Sequence, residues 1–432
     1  MAETGRGRAG EVGTGRGGPR QAANGPPAAG LAAGSGLLIG GLIAVAFNLR
    51  GAITGLPPVY PELAATAGYS TAAESVLAAV PVLCFAAFSG LAPALARRLG
   101  DERVIWLSLV LLAGGLAMRA AAPTALLFPG TIVACSAIAL MNVLLPSLVK
   151  RRRPDMAGLV IGLYLLSLTV GAVLAAAVAV PLFNAAGAGS GAVRITLGIW
   201  ALPALVAALV WLPQLRFRTA PGSAHDEQRG AGRPQAHRVT AMARNALAWQ
   251  VTAFMGLQSL SYYATLSWFP TMLRDHGIGA SAAGNLLALM NVGNALTGLA
   301  VPVLAQRARD QRSIAAISCV VIMIGLAGSA FGPNSTAVVF VCLLGLGQGG
   351  AFSLAVFLFA ARAADAPTAA ALSGFAQGIG YLIAVIGPLL FGLLESATGG
   401  WAVPVWVLMG VAVGQLISGV LSGRAITIGP AG

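Results

Sequence analysis

Arg50 is the residue whose placement asks for chemistry. It stands near the middle of an apolar run that extends from Leu37 to Pro57. A guanidinium buried in hydrocarbon costs several kcal/mol unless an anion or a set of polar groups meets it. No apolar run supplies a mid-depth Asp or Glu to neutralise it, since Glu62, Glu74 and Glu395 all fall near run ends. Either a solute provides the counter-charge through charge-assisted hydrogen bonds, or backbone carbonyls and water hold the charge.

Other apolar runs carry polar residues at a similar depth. Counted at about 1.5 Å per residue, Gln258 and Gln348 fall at the middles of their runs. Asn142 lies roughly 7 Å from the centre of its own. Gln258 and Tyr262 are four apart and share a helical face, as do Gln377 and Tyr381. Asn291 and Asn294 lie close in angle near the centre of another run. Arg50 shares a face with Thr54, whereas Asn48 is roughly 200° away from Arg50 and points toward a neighbouring helix. The candidate solute-binding residues are therefore Arg50, Thr54, Asn142, Gln258, Tyr262, Asn291, Gln348, Gln377 and Tyr381. Asn48 is a further member that could equally serve as a helix–helix hydrogen bonder, a role open to each polar residue taken singly. The glycines at Gly345, Gly347, Gly349 and Gly350 suggest close helix packing, because a phosphate loop needs a strand–loop–helix setting.

These residues need helices in lipid to position them. Of 432 residues, 57% are hydrophobic and 9% charged, and mean hydropathy is +0.83. A soluble chain carries roughly 25% charged residues. Twelve apolar runs are long enough to cross about 30 Å of hydrocarbon: 37–57, 75–96, 104–121, 125–149, 157–182, 195–213, 247–269, 281–305, 314–332, 336–361, 373–394 and 402–423. They lack the period-two alternation of a barrel, so they are predicted helices.

The net charge of +13 does not indicate nucleic-acid binding, because the arginines flank apolar runs instead of forming a soluble patch. Arg97, Arg98, Arg103, Lys150 to Arg153, Arg216 to Arg244, Arg307, Arg309, Arg312, Arg362 and Arg424 all fall on one side with the basic tail. Only Arg119, Arg194 and Arg274 are expected in the opposite loops, which leaves Arg50 as the sole mid-membrane cation. The positive-inside rule then puts both termini in the cytoplasm. Lys150 is the only lysine amid abundant Ala, Gly and Arg, a bias suggesting a GC-rich bacterium and hence a bacterial cell membrane. Cys84, Cys135, Cys319 and Cys342 show no CxxC spacing, and His225 and His237 fall in the polar stretch 214–246 and His276 in an outer loop, outside the apolar runs. No catalytic centre, metal or cofactor is expected.

Residues 1–36 are too poor in large apolar side chains to bury a core and are expected to form a disordered tail. Residues 214–246 are expected to form a polar cytoplasmic linker between a first six-helix bundle, 37–213, and a second, 247–424. A repeat supports that division: the eleven residues Pro93–Arg103 match Pro302–Arg312 at six positions, offset by 209.

Asn48-Leu-Arg50 followed by Ala52-Ile-Thr54 resembles the cyanate and nitroimidazole permease family of the major facilitator superfamily. Leu77 to Phe85, Asn142 to Lys150, Gly162-Leu-Tyr164, Gly256 to Tyr263 and Trp268-Phe-Pro270 extend the likeness across nearly the whole chain. Two departures are Gly51, where that family usually has proline, and Arg97-Arg98-Leu-Gly100 with Asp101 displaced, where the superfamily has a gating acid. The resemblance implies an all-α membrane protein of twelve transmembrane helices in two pseudo-symmetric six-helix bundles. It also implies a cavity lined by the first, fourth, seventh and tenth helices, with alternating access about a midplane site. The expected cargo is a small anionic or polar solute, cyanate-like or nitroimidazole-like, with Arg50 as its binding cation. Protons are a candidate coupling ion, no ATP-driven segment is present, and a monomer is expected. The alternatives are a multidrug-type efflux transporter and, from a different class, a transporter-like membrane sensor.

Overall fold

A computed structural model describes residues 28–152, 156–216 and 242–429. The predicted tail up to residue 27 and the linker from 217 to 241 lie outside the described residues.

Fifteen α-helices are described. In the first part of the chain these are α1 (Ala28–Thr54), α2 (Tyr60–Ala67), α3 (Thr71–Phe88), α4 (Ala92–Leu99), α5 (Asp101–Ala121), α6 (Leu127–Arg152), α7 (Ala157–Ala185), α8 (Ser190–Gly198) and α9 (Ala201–Trp211). The second part contains α10 (Ala246–Asp275), α11 (Ala280–Arg307), α12 (Arg312–Phe331), α13 (Ala337–Ala361), α14 (Ala366–Thr398) and α15 (Ala402–Ser422). Helix α1 begins at Ala28, nine residues before the predicted start, so residues 28–36, expected in the tail, are helical. It runs unbroken through Gly51 and stops just before the consecutive prolines Pro57 and Pro58, which lack backbone donors.

Among the described residues eleven stretches are long and apolar enough to span a membrane. The twelfth predicted span, within α10, has length at 30 residues but not hydropathy, because Gln250, Gln258, Ser259, Ser261, Tyr262, Tyr263 and Ser267 stand along it. Around the bundle Leu166, Leu202, Leu209, Ile317 and Trp406 are each more than half exposed, an apolar surface suited to lipid.

Two seams join the two parts of the chain, α3 on α14 and α7 on α11. At the arginine-poor end the backbones come close: a Cβ on Gly284 of α11 would lie 2.7 Å from the Ala176 carbonyl of α7. There Arg274 of α10 also pairs with Glu62 of α2 at 2.8 Å and donates to the Pro58 carbonyl at 3.2 Å.

The arginine-rich ends repeat a second motif. Asp101 and Glu102, opening α5, pair with Arg151 and Arg152 at the end of α6. The displaced acid is thus engaged by α6. At the equivalent place 209 residues on, Gln311 accepts from Arg362, which also donates to the Ser422 and Gly423 carbonyls. Burial lowers the pKa of Arg362, while Asp310 opposes the shift.

Candidate functional site

Arg50 lies on the last turn of α1, a helix held tightly against α7. A Cβ on Gly171 would fall 2.0 Å from the Phe47 carbonyl, so only glycine allows that approach. Thr54 Oγ1 donates to the Arg50 carbonyl at 3.0 Å and to the Ala172 carbonyl at 3.1 Å. Thr54 is therefore fully buried in the α1–α7 contact and holds the backbone beneath Arg50, instead of facing a cavity with it.

The guanidinium is half-buried and reaches the other part of the chain. Its Nη1 donates to the Tyr262 hydroxyl at 2.6 Å, and its carbon sits 5.4 Å from the centroid of the same ring. Tyr262 passes the bond on to Asn291 Oδ1 at 3.3 Å, and Asn291 Nδ2 donates to the Leu287 carbonyl at 2.9 Å. That last bond fixes the amide so that its oxygen faces the phenol. Each donor in the chain polarises the next, which strengthens the whole.

Tyr263, Tyr381 and Tyr164 are also within electrostatic reach of Arg50. Phe85 of α3 packs against Tyr263 at 6.4 Å and Tyr381 at 6.2 Å between ring centroids. The cation is thus surrounded by tyrosines from α7, α10 and α14, with a phenyl ring closing the group. Among the described residues no ion pair reaches it. Asn142 joins at the margin, accepting from Tyr164 at 3.4 Å.

The remaining predicted residues lie elsewhere. Asn48 donates to the Ala44 carbonyl at 2.8 Å and the Pro203 carbonyl at 3.2 Å, which places it in the α1–α9 contact. Gln258 and Gln348 meet each other instead of Arg50. Gln258 Nε2 donates to the Gln348 carbonyl at 3.3 Å, and Gln348 Nε2 donates to Ser261 at 2.9 Å. Both are buried in the α10–α13 contact. Gln377 bonds Ser373 one turn away on its own helix at 2.8 Å. The glycines of α13 lie against neighbouring helices, as expected: a Cβ on Gly349 would sit 2.0 Å from the Asn294 carbonyl.

Arg119 overturns one expectation. Predicted as a loop residue, it occupies the last turn of α5 and is only 2% exposed. Its Nη1 donates to the Ala52 carbonyl at 3.1 Å. Arg50 is therefore not the only cation inside the bundle. Phe85, Tyr164 and Tyr263 were also absent from the candidates, although each lies in a segment that carries the family resemblance.

Residues 42–388 match the Major Facilitator Superfamily. The chain is 37% identical to the 2-nitroimidazole transporter of Escherichia coli (strain K12) over 391 residues, covering 90% of this chain and 95% of that one. It is 29% identical to the cyanate transport protein CynX of the same organism, covering 83% of this chain and 90% of that one. In fold it resembles the nucleoside transporter NupG, with a TM-score of 0.69 at 16% identity, covering 89% of this chain and 98% of that one.

Proposed function

This chain belongs to the major facilitator superfamily and is a multi-pass membrane transporter of the cyanate and nitroimidazole permease type, not an enzyme; from that premise we propose that it carries a small, flat, anionic or polar solute by alternating access, with Arg50 as the cation that binds it. The observation that carries this reading is a guanidinium bonded to a neutral phenol, with no carboxylate partner among the described residues, where the two parts of the chain meet. A neutral phenol leaves the positive charge for a solute to neutralise. The tyrosine and phenylalanine faces suit a planar heteroaromatic, which the 2-nitroimidazole relative favours. Residues 37–213 and 247–424 act as the two rocking halves in this reading. Placing the arginine-rich end in the cytoplasm of a bacterial cell, the conformation described is closed toward the outside by the Arg274–Glu62 pair.

The test is a thermal-shift screen of the purified protein against small anions and nitroheterocycles, followed by the Arg50→Gln variant. A ligand that binds the folded state raises the melting temperature. Loss of two charge-assisted hydrogen bonds should weaken binding by about 100-fold or more, so the shift should vanish in the variant. Equal shifts in both proteins would remove Arg50 from solute binding.

A further inference from the structure

Toward the arginine-poor end from Arg50 lies a second buried cation with a cavity of its own. Arg119, Tyr60, Thr131, Cys135, Tyr263 and Ser267 supply its polar lining, and apolar side chains including Ile53, Leu56 and Leu77 complete it. The space suits about one water molecule. Arg119 reaches it because α5 and α6 touch through glycine. A Cβ on Gly130 would lie 2.5 Å from the Gly115 carbonyl and 2.9 Å from Arg119 Cγ, so the arginine stem occupies the space that any other residue would fill.

The guanidinium is short of acceptors. Its Nη1 is bound to the Ala52 carbonyl, but the buried Nε has no partner. No carboxylate lines the cavity. Glu74 is not part of the lining, and among the described residues no ion pair joins it to Arg119. A buried charge in this position calls for an anion. The hydroxyls of Tyr60, Tyr263 and Ser267 and the Cys135 thiol can each donate toward one.

We propose that this cavity is a second anion-binding site, built around Arg119 and sized for a monatomic anion such as chloride. Its position gives it a part in the cycle. Tyr263, Leu266 and Ser267 come from α10, whereas the rest of the lining comes from α1, α2, α3, α5, α6 and the turn after α1. Parting the two halves at the arginine-poor end would therefore open the cavity. Tyr263, which lines this cavity, also lies within electrostatic reach of Arg50.

The experiment compares melting in chloride and in gluconate, an anion too large for the cavity, at equal ionic strength. It uses the wild-type protein and the Arg50→Gln, Arg119→Gln and Cys135→Leu variants. The expected result is a saturable rise of about 2 °C in chloride for the wild type and for Arg50→Gln. The rise should be lost in Arg119→Gln and in Cys135→Leu, which fills the cavity and keeps the test intact if Arg119→Gln does not fold. A wild-type protein that melts identically in both salts contradicts the proposal, as it would if a water filled the space. So does a rise that persists in either cavity variant. A rise lost only in Arg50→Gln assigns chloride to the Arg50 site and also overturns the proposal. Because the Arg50→Gln arm carries no solute-binding cation, the outcome is separable from that of the solute screen.

Discussion

Replacing Tyr262 with phenylalanine removes one oxygen from the middle of the Arg50–Tyr262–Asn291 chain and leaves the ring in place. The 2.6 Å bond to Arg50 is lost, while the stacking of the guanidinium over the ring is kept. A hydrogen bond to a charged group contributes about 1.5–3 kcal/mol, which corresponds to a factor of roughly 10 to 150 in an equilibrium constant. Arg50 belongs to α1 and Tyr262 to α10, so the bond exists only while the two parts of the chain are together at this level. The variant is therefore expected to shift the closed-to-open ratio at the arginine-poor end toward open by about that factor. Spin labels at Ala65 and Ala397, both exposed near that end, would report it in a background lacking the four native cysteines. Double electron–electron resonance should show the short-distance population falling and a longer one rising. Arg50→Gln combined with Tyr262→Phe should open no further than Arg50→Gln alone, since both remove the same bond. An unchanged distance distribution in Tyr262→Phe would refute the reasoning.

The same label pair tests the Arg274–Glu62 contact. Arg274→Gln should favour the open population, and the charge swap Glu62→Arg with Arg274→Glu should restore closure; a swap no better than the single change would show that the pair does not act as a latch. Gly349→Ala should lower the melting temperature by an amount equivalent to about 3 kcal/mol or more, because its new methyl would collide with the Asn294 carbonyl. Gly410→Ala, with nothing within 4 Å of the added carbon, should melt like the wild type. Asn48→Ala should cost about 1 kcal/mol of stability by breaking the tie to Pro203, with solute affinity retained. Weakened solute binding at an unchanged melting temperature would return Asn48 to the binding site.

The long helices were legible because apolar runs in lipid have few alternatives, and Arg50 stood out for the same reason. Helix α10 shows where that signal fades: the polar face that makes it useful also lowers its hydropathy. Depth along a helix can be counted from sequence, but the neighbour each side chain faces cannot. Gln258 and Gln348 do fall in mid-helix, yet their angles turn them toward each other. Arg119 was misplaced because an arginine near a span end can snorkel outward or fold inward. Only the Gly115–Gly130 contact, formed between two helices, decides in favour of folding inward. Tyr164 and Tyr263 were missed because tyrosine in an apolar run is most often a packing residue, and their grouping around Arg50 depends on how α7, α10 and α14 come together.

The phenol on Arg50 also bears on how the empty protein resets. A carrier whose binding cation had nothing to touch when unloaded would strand that charge on every return stroke, and cargo in the reverse direction would be needed to complete the turnover. In the proposed cycle Tyr262 would stand in for cargo, holding the guanidinium of the closed, empty protein until a solute displaces it. On the proposed role of Arg50, the empty carrier would then hold its closed arrangement without a bound solute, and parting of the two halves would free the cation for cargo.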